Sequence, residues 1–182
     1  MTCAEEISLV GNFQDTSTIN TYYLLMTHFL EYSILIRTSP AALYAVYADV
    51  GGWHLWDPDT QSAQLNGPLR VGTTGRLKPR KGLAVNMEVV KLEPDKRLIV
   101  ECPVLGSRMR FDHHIDVIDK THVRATHQVS FEGWLAGFLY RVVGKDLHHG
   151  LPITLKSLKE YIESDLGSTS STATTDAHFR EP

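Results

Sequence analysis

Cysteine is almost absent: Cys3 and Cys102 are the two in a chain of 182 residues. Cys3 stands near one end and Cys102 inside a strand-like pattern, so no disulfide is expected and a reducing compartment fits. Charge of one sign is lacking too. The 18 basic and 21 acidic residues leave a formal −3, which supplies no net field for nucleic acid or anionic lipid. Arg76, Lys78, Arg80 and Lys81 do cluster, but beside a turn, where a solvated hairpin tip is the expected reading. Long apolar runs are missing. The burst from Tyr22 to Met26 is too short for a signal core or a membrane span, and Glu5 and Glu6 stand where a secretory leader carries basic residues. A cytoplasmic protein without stable membrane insertion is expected. No Gly-x-Ser-x-Gly, phosphate-binding glycine loop or Cys-x-x-Cys occurs, so no cofactor is implied.

The remaining composition, 42% apolar and 21% charged, is that of a globular protein with a proper core. Residues 1–27 carry no sustained period and read as a disordered extension. Met26, just ahead of the first strand pattern, is an alternative start to Met1. Residues 28–166 read as one domain. Residues 167–182, with Ser-Thr-Ser-Ser-Thr-Ala-Thr-Thr, cannot bury enough apolar surface to offset ordering entropy and read as a disordered tail.

Within the domain the periods change in an informative order. Residues 29–37 read as a strand. Ser39 and Pro40 then supply an N-cap and an N1 proline for a helix over 41–49, stopped by Gly51-Gly52. Strands follow over 61–65, 73–78, 83–92, 97–102, 108–118 and 122–132, separated by turn-forming stretches such as Asn66-Gly67-Pro68 and Glu93-Pro94-Asp95-Lys96. After Gly133 the period turns helical, with Leu139, Val143, Leu147, Leu151, Leu158 and Ile162 on one stripe. Gly144, Gly150 and Pro152 predict a kink or break there. The fold class is therefore α+β: a curved antiparallel sheet gripping a long C-terminal helix, with a space between them.

Strand alternation assigns faces. Met109, Phe111, His113, Ile115 and Val117 share one side of their strand; Val123, Ala125, His127, Val129 and Phe131 share one side of the next. Putting both apolar sets together pairs Val117 with Val123 and places His113 opposite His127. Two readings of these imidazoles stand: core histidines satisfied by hydrogen bonds, or polar anchors in a cavity wall. A metal site is not expected, because no third and fourth ligand lie nearby in sequence. The pairs His113-His114 and His148-His149 diverge on their elements and cannot chelate. The same register logic pairs Val89 with Leu98, Met87 with Val100 and Val85 with Cys102, making Cys102 a small core residue. It would also turn Arg76 inward opposite Val85, against competition from Leu77. Trp53 and Trp56 should plug one end of the sheet or line an entrance, and Phe138 reaches from the last helix toward the cavity.

Five segments carry a family resemblance: Thr38-Ser39-Pro40 opening a helix, Asp49-Val50-Gly51-Gly52-Trp53, Trp56-Asp57-Pro58, the late strand ending Val129-Ser130-Phe131-Glu132-Gly133, and the C-terminal helix ending Leu158-Lys159-Glu160-Tyr161. In these the chain resembles the START-like or SRPBCC superfamily of helix-grip proteins, the polyketide cyclase/dehydrase family among them. The likeness covers residues 29–163. It implies a cavity for lipids, sterols, polyketides or other apolar molecules, and it transfers no catalytic residue.

Three functions are open at this level. The chain binds a small hydrophobic ligand, with Trp56, Met87, Phe111, Val129, Phe131 and Phe138 in contact and His113, His127 and Arg76 orienting polar groups. Alternatively it is a cyclase or dehydratase, with His127 as base and His113 setting its tautomer. Or the space is filled by side chains and the outer surface does the work. A monomer and a homodimer are both compatible.

Overall fold

The computed structural model describes residues 28–171; the expected N-terminal extension and most of the tail lie outside the described residues. Strand β1 (His28–Arg37) runs into helix α1 (Pro40–Ala48). Ser39 caps that helix, its hydroxyl accepting from the Ala42 amide at 3.2 Å, with Pro40 at the position where its missing N–H costs nothing. A 3₁₀ turn (Val50–Gly52) and the one-turn helix α2 (Trp53–Trp56) follow where Gly51-Gly52 ends α1. The chain then forms β2 (Thr60–Leu65), β3 (Thr74–Pro79), β4 (Val85–Glu93), β5 (Arg97–Val104), β6 (Ser107–Val117) and β7 (His122–Gly133), and closes with α3 (Ala136–Ser171).

All seven strands form one antiparallel sheet in the order β1-β7-β6-β5-β4-β3-β2. The first strand thus pairs with the last, and α3 packs across β1 and β7. Of the expected stripe, Leu139, Leu151, Leu158 and Ile162 are buried and Val143 and Leu147 half-buried, with Leu155 joining the buried set.

The helix departs from expectation in two ways. It is one uninterrupted element although Pro152 lies inside it. A proline there removes a single backbone bond, and the burial of Leu151, Thr154, Leu155 and Leu158 on either side holds the turn in place. It also continues past residue 167 to Ser171, because adding residues to an existing helix is far easier than starting one.

The β6–β7 register is as read from alternation: Val117 pairs with Val123, Ile115 with Ala125 and His113 with His127. The β4–β5 register is not. Val89 pairs with Val100 and Leu92 with Leu98, with an irregularity between Val89 and Lys91. A bulge inserts one residue and switches the inward parity from 85, 87 and 89 to 92. Continuous alternation cannot reveal that.

Candidate ligand-binding cavity

Cross-strand pairing builds the inner face as rows. Leu98, His113, His127 and Tyr32 form one row; Val100, Phe111, Val129 and Leu30 the next; Cys102, Met109, Phe131 and His28 a third. Over β1 and β7 these rows are closed by α3, where Phe131 meets the Tyr140 ring edge-on at 5.9 Å and His28 stacks on Tyr140 at 5.0 Å. Over β3 to β6 the helix stands off. There a cavity of about 330 Å³ opens between Val143, Leu147 and Leu151 of α3 and Leu77, Val85, Cys102, Val104, Met109 and Phe111 of the sheet. Its size and mostly apolar wall are those of a small-molecule site.

One end is closed by aromatic rings. Tyr47 of α1, Trp53 and Trp56 are all buried and pack against the two histidines. His113 and His127 meet edge to face at 4.6 Å, with Tyr47 5.0 Å and 5.5 Å from them. Trp53 donates its indole N–H to the Tyr47 carbonyl at 2.9 Å, and His127 Nε2 meets the Tyr47 hydroxyl at 3.0 Å. Both imidazoles are buried, which penalises their charged forms. Burial holds His113 down to about 4, against smaller opposing effects from Asp112, a Leu98 backbone hydrogen bond and Asp57. His127 is pushed well below the usual histidine value by burial and then by His113. Burial also raises the Tyr47 phenol above its ordinary range. At neutral pH the cluster is uncharged.

Beside it lies a fixed carboxylate. Asp57 accepts from the Thr60 hydroxyl at 2.6 Å and the Thr154 hydroxyl at 2.8 Å, tying the start of β2 to α3. Asp59 lines the same side. Its carboxyl is raised by partial burial and by Asp57 and Asp146, while Lys81 and Arg80 oppose the shift. Lys81 and Leu83 border the cavity from the β3–β4 tip and are exposed.

Of the residues expected at a ligand, Trp56, Phe111, His113 and His127 line this cavity. Met87, Val129 and Phe131 are on the inner face but lie in the packed core; Met87 sits under Gly75, and α3 covers Phe131. Arg76 is a correction. It pairs with Asn86 while Leu77 pairs with Val85, so Leu77 takes the inward place and Arg76 is exposed on the outer face. Phe138 is another: it is 57% exposed, because the inward stripe runs through Leu139 and Val143 and its neighbour lies about 100° away.

Tyr47, Asp57, Thr60 and Thr154 were not legible as site residues, since three elements distant in sequence bring them together. Trp53, Leu77, Val85, Met109 and Leu147 had a signal in alternation and helical period. Cys102, also in the wall, has its thiol pushed up to about 12 by burial. Among the described residues no group of histidine, cysteine and carboxylate side chains could hold a metal ion, and no helix is long and apolar enough to cross a membrane.

The fold has known counterparts. A hypothetical protein from Helicobacter pylori is 16% identical with a TM-score of 0.62, covering 83% of this chain and 98% of that one. The ZhuI aromatase/cyclase from Streptomyces sp. R1128 is 12% identical with a TM-score of 0.62, covering 77% and 96%. Norcoclaurine synthase from Thalictrum flavum is 12% identical with a TM-score of 0.59, covering 85% and 97%. At these identities the likeness is one of fold. No curated protein matches the chain in sequence. Residues 27–163, most of the chain, match the family model described as polyketide cyclase/dehydrase and lipid transport. With a helix-grip sheet, a long closing helix and that match, the chain belongs to the polyketide cyclase/dehydrase and lipid transport family of the SRPBCC superfamily.

Proposed function

We propose that this chain binds a small, largely apolar molecule in the space between α3 and the sheet, as a carrier or sequestering protein. The supporting observation is the wall itself: aliphatic and aromatic side chains from six elements, closed at one end by imidazoles held neutral. Covering about 300 Å² of ligand surface is worth ~7.5 kcal/mol before ordering costs. Kd values in the micromolar to millimolar range therefore need no further contact. A norcoclaurine synthase of the same fold has been solved in complex with dopamine and hydroxybenzaldehyde, both small aromatics.

The cyclase or dehydratase reading needs a group that removes a proton beside a carbonyl and delivers one to a leaving hydroxyl. His127 and His113 are its candidates. His113, held down to about 4, is a weak base and is not the acidic imidazolium at neutral pH, and His127 is shifted the same way. Binding is the better supported reading.

Native mass spectrometry of the protein purified from its own cells tests this, alongside Leu147→Trp, which pushes an indole into the space. A hydrophobic adduct on the wild type that vanishes in the variant is the expected result. An adduct retained equally by both would place binding elsewhere and refute the proposal.

A further inference from the structure

Exposed apolar side chains collect at one end of the sheet. Val104 pairs with Ser107 and Ser107 with Gly133. β4 runs antiparallel to β5 with Glu88 opposite Glu101, so it begins where β5 ends. The β3–β4 tip, the β5–β6 tip and the start of α3 therefore share this end, and each holds large apolar groups in solvent. Leu83 is 85% exposed, Leu105 70% and Trp134 76%, and Phe138 and Val142 are exposed as well. Such residues standing singly need no explanation, but a cluster does. Trp134 lies across the β5–β6 tip, its Nε1 2.8 Å from where a Cβ on Gly106 would stand. Leu105 turns that tip at φ 48°, a left-handed conformation that glycine and asparagine adopt far more readily.

The same end is the mouth of the cavity. Lys81 and Leu83 border the space, and Val104 and Val143, the neighbours of Leu105 and Val142, line it. Its charge differs from that of the whole chain. Arg80, Lys81, Arg108, Arg141 and Lys145 stand there against Asp59, Glu132 and Asp146, in a protein of net charge −3. Arg108 is paired with Glu132, and Arg80 and Lys81 act on Asp59. Neither Arg141 nor Lys145 makes an ion pair among the described residues. On α3, Phe138, Arg141, Val142 and Lys145 follow at i, i+3, i+4 and i+7, so apolar and basic groups share its outward face.

Apolar rings beside unpaired cations suit an anionic bilayer surface, where aromatics enter the headgroup boundary and the cations meet phosphate. A protein partner would need a surface complementary in shape. These groups project from three separate segments, an unevenness that lipid accommodates. We propose that this end of the protein docks on an anionic lipid bilayer, with Leu105, Trp134 and Phe138 entering the surface and Arg141 and Lys145 contacting headgroups, so that the cavity mouth opens onto lipid. The contact is peripheral and reversible. It goes beyond the carrier reading and stands without it: vesicle binding reads the surface, whereas a hydrophobic adduct reads the cavity.

Co-sedimentation of the full chain with vesicles of phosphatidylcholine alone, and of equal parts phosphatidylcholine and phosphatidylserine, tests this. The anionic vesicles are expected to bind more than tenfold tighter, at about fivefold for each of the two unpaired cations. Trp53 and Trp56 are already buried, so shielding of tryptophan emission from acrylamide on the vesicles reports Trp134. Trp134→Ser/Phe138→Ser should weaken binding to both vesicles at least tenfold, and Arg141→Glu/Lys145→Glu should abolish the preference for the anionic ones. All four side chains are exposed, so both variants should melt with the wild type. Absence of binding to either vesicle, or equal binding by the wild type and both variants, would overturn the proposal. A wild-type dimer that ignores vesicles and dissociates in Trp134→Ser/Phe138→Ser would overturn it too, by assigning the patch to a second copy.

Discussion

Acidification from pH ~7.5 to ~5 should destabilise this protein by about 2 kcal/mol through His113 alone. In the unfolded chain the imidazole takes up a proton near 6.5; in the fold, burial delays uptake to about 4. Within that window the unfolded state binds more protons, so stability is fully present above 6.5 and is lost as the pH falls, at about 1.4 kcal/mol per pH unit. Near pH 5 this amounts to roughly 2 kcal/mol, and His127, shifted the same way, adds a second loss of the same sign. The loss is a large share of the ~5–15 kcal/mol typical of a domain. Carboxylates held low, such as Asp119 at about 2, lose their contribution only in more acid solution, which separates the two effects. Urea titrations at both pH values measure the loss directly, with His113→Gln and the His113→Gln/His127→Gln pair as controls. The variants start less stable but should show a smaller fall on acidification. A wild type whose stability drops no more than that of the double variant would refute the argument.

Three other perturbations read different parts of the account. Tyr47→Phe deletes the hydroxyl that meets His127 at 3.0 Å and should cost about 1–2 kcal/mol in urea unfolding. Gly75→Ala should cost about 3 kcal/mol or prevent folding, because the added methyl would lie 2.3 Å from the Gln64 carbonyl oxygen and 3.1 Å from the Leu65 Cα, both fixed backbone; circular dichroism melts will show it. In a Cys3→Ser background, Cys102 should resist iodoacetamide in the native state and react on unfolding, since its thiol is buried and raised to about 12. Mass spectrometry counts the label.

The parts of this molecule legible in the sequence are those governed by short-range periodicity. Alternation in β6 and β7 is uninterrupted, so His113 opposite His127 followed from parity. The helical stripe from Leu139 to Ile162 was equally plain, because only one face of α3 meets the core. Where an extra residue enters a strand or a turn is one residue longer, register no longer propagates: the β4–β5 pairing was misplaced by two residues across the bulge after Val89, and a separate one-residue slip at the β3–β4 connection turned Arg76 inward in place of Leu77. Phe138 was assigned by its chemistry against its angle, and the angle prevailed. Tyr47 is a different case. It sits in a short helix whose inward face buries only Leu43 and Tyr47, and nothing local says that its hydroxyl reaches a histidine 80 positions away.

The central claim is that an apolar space persists between α3 and β3–β6 in the folded protein. Xenon-pressurised crystals test it most plainly, since xenon enters empty apolar cavities and little else. The account predicts xenon density bounded by Met109, Phe111, Val143 and Leu147 in the wild type, and none there in Leu147→Trp. Wild-type crystals in which those four side chains close on one another and exclude the gas would contradict it.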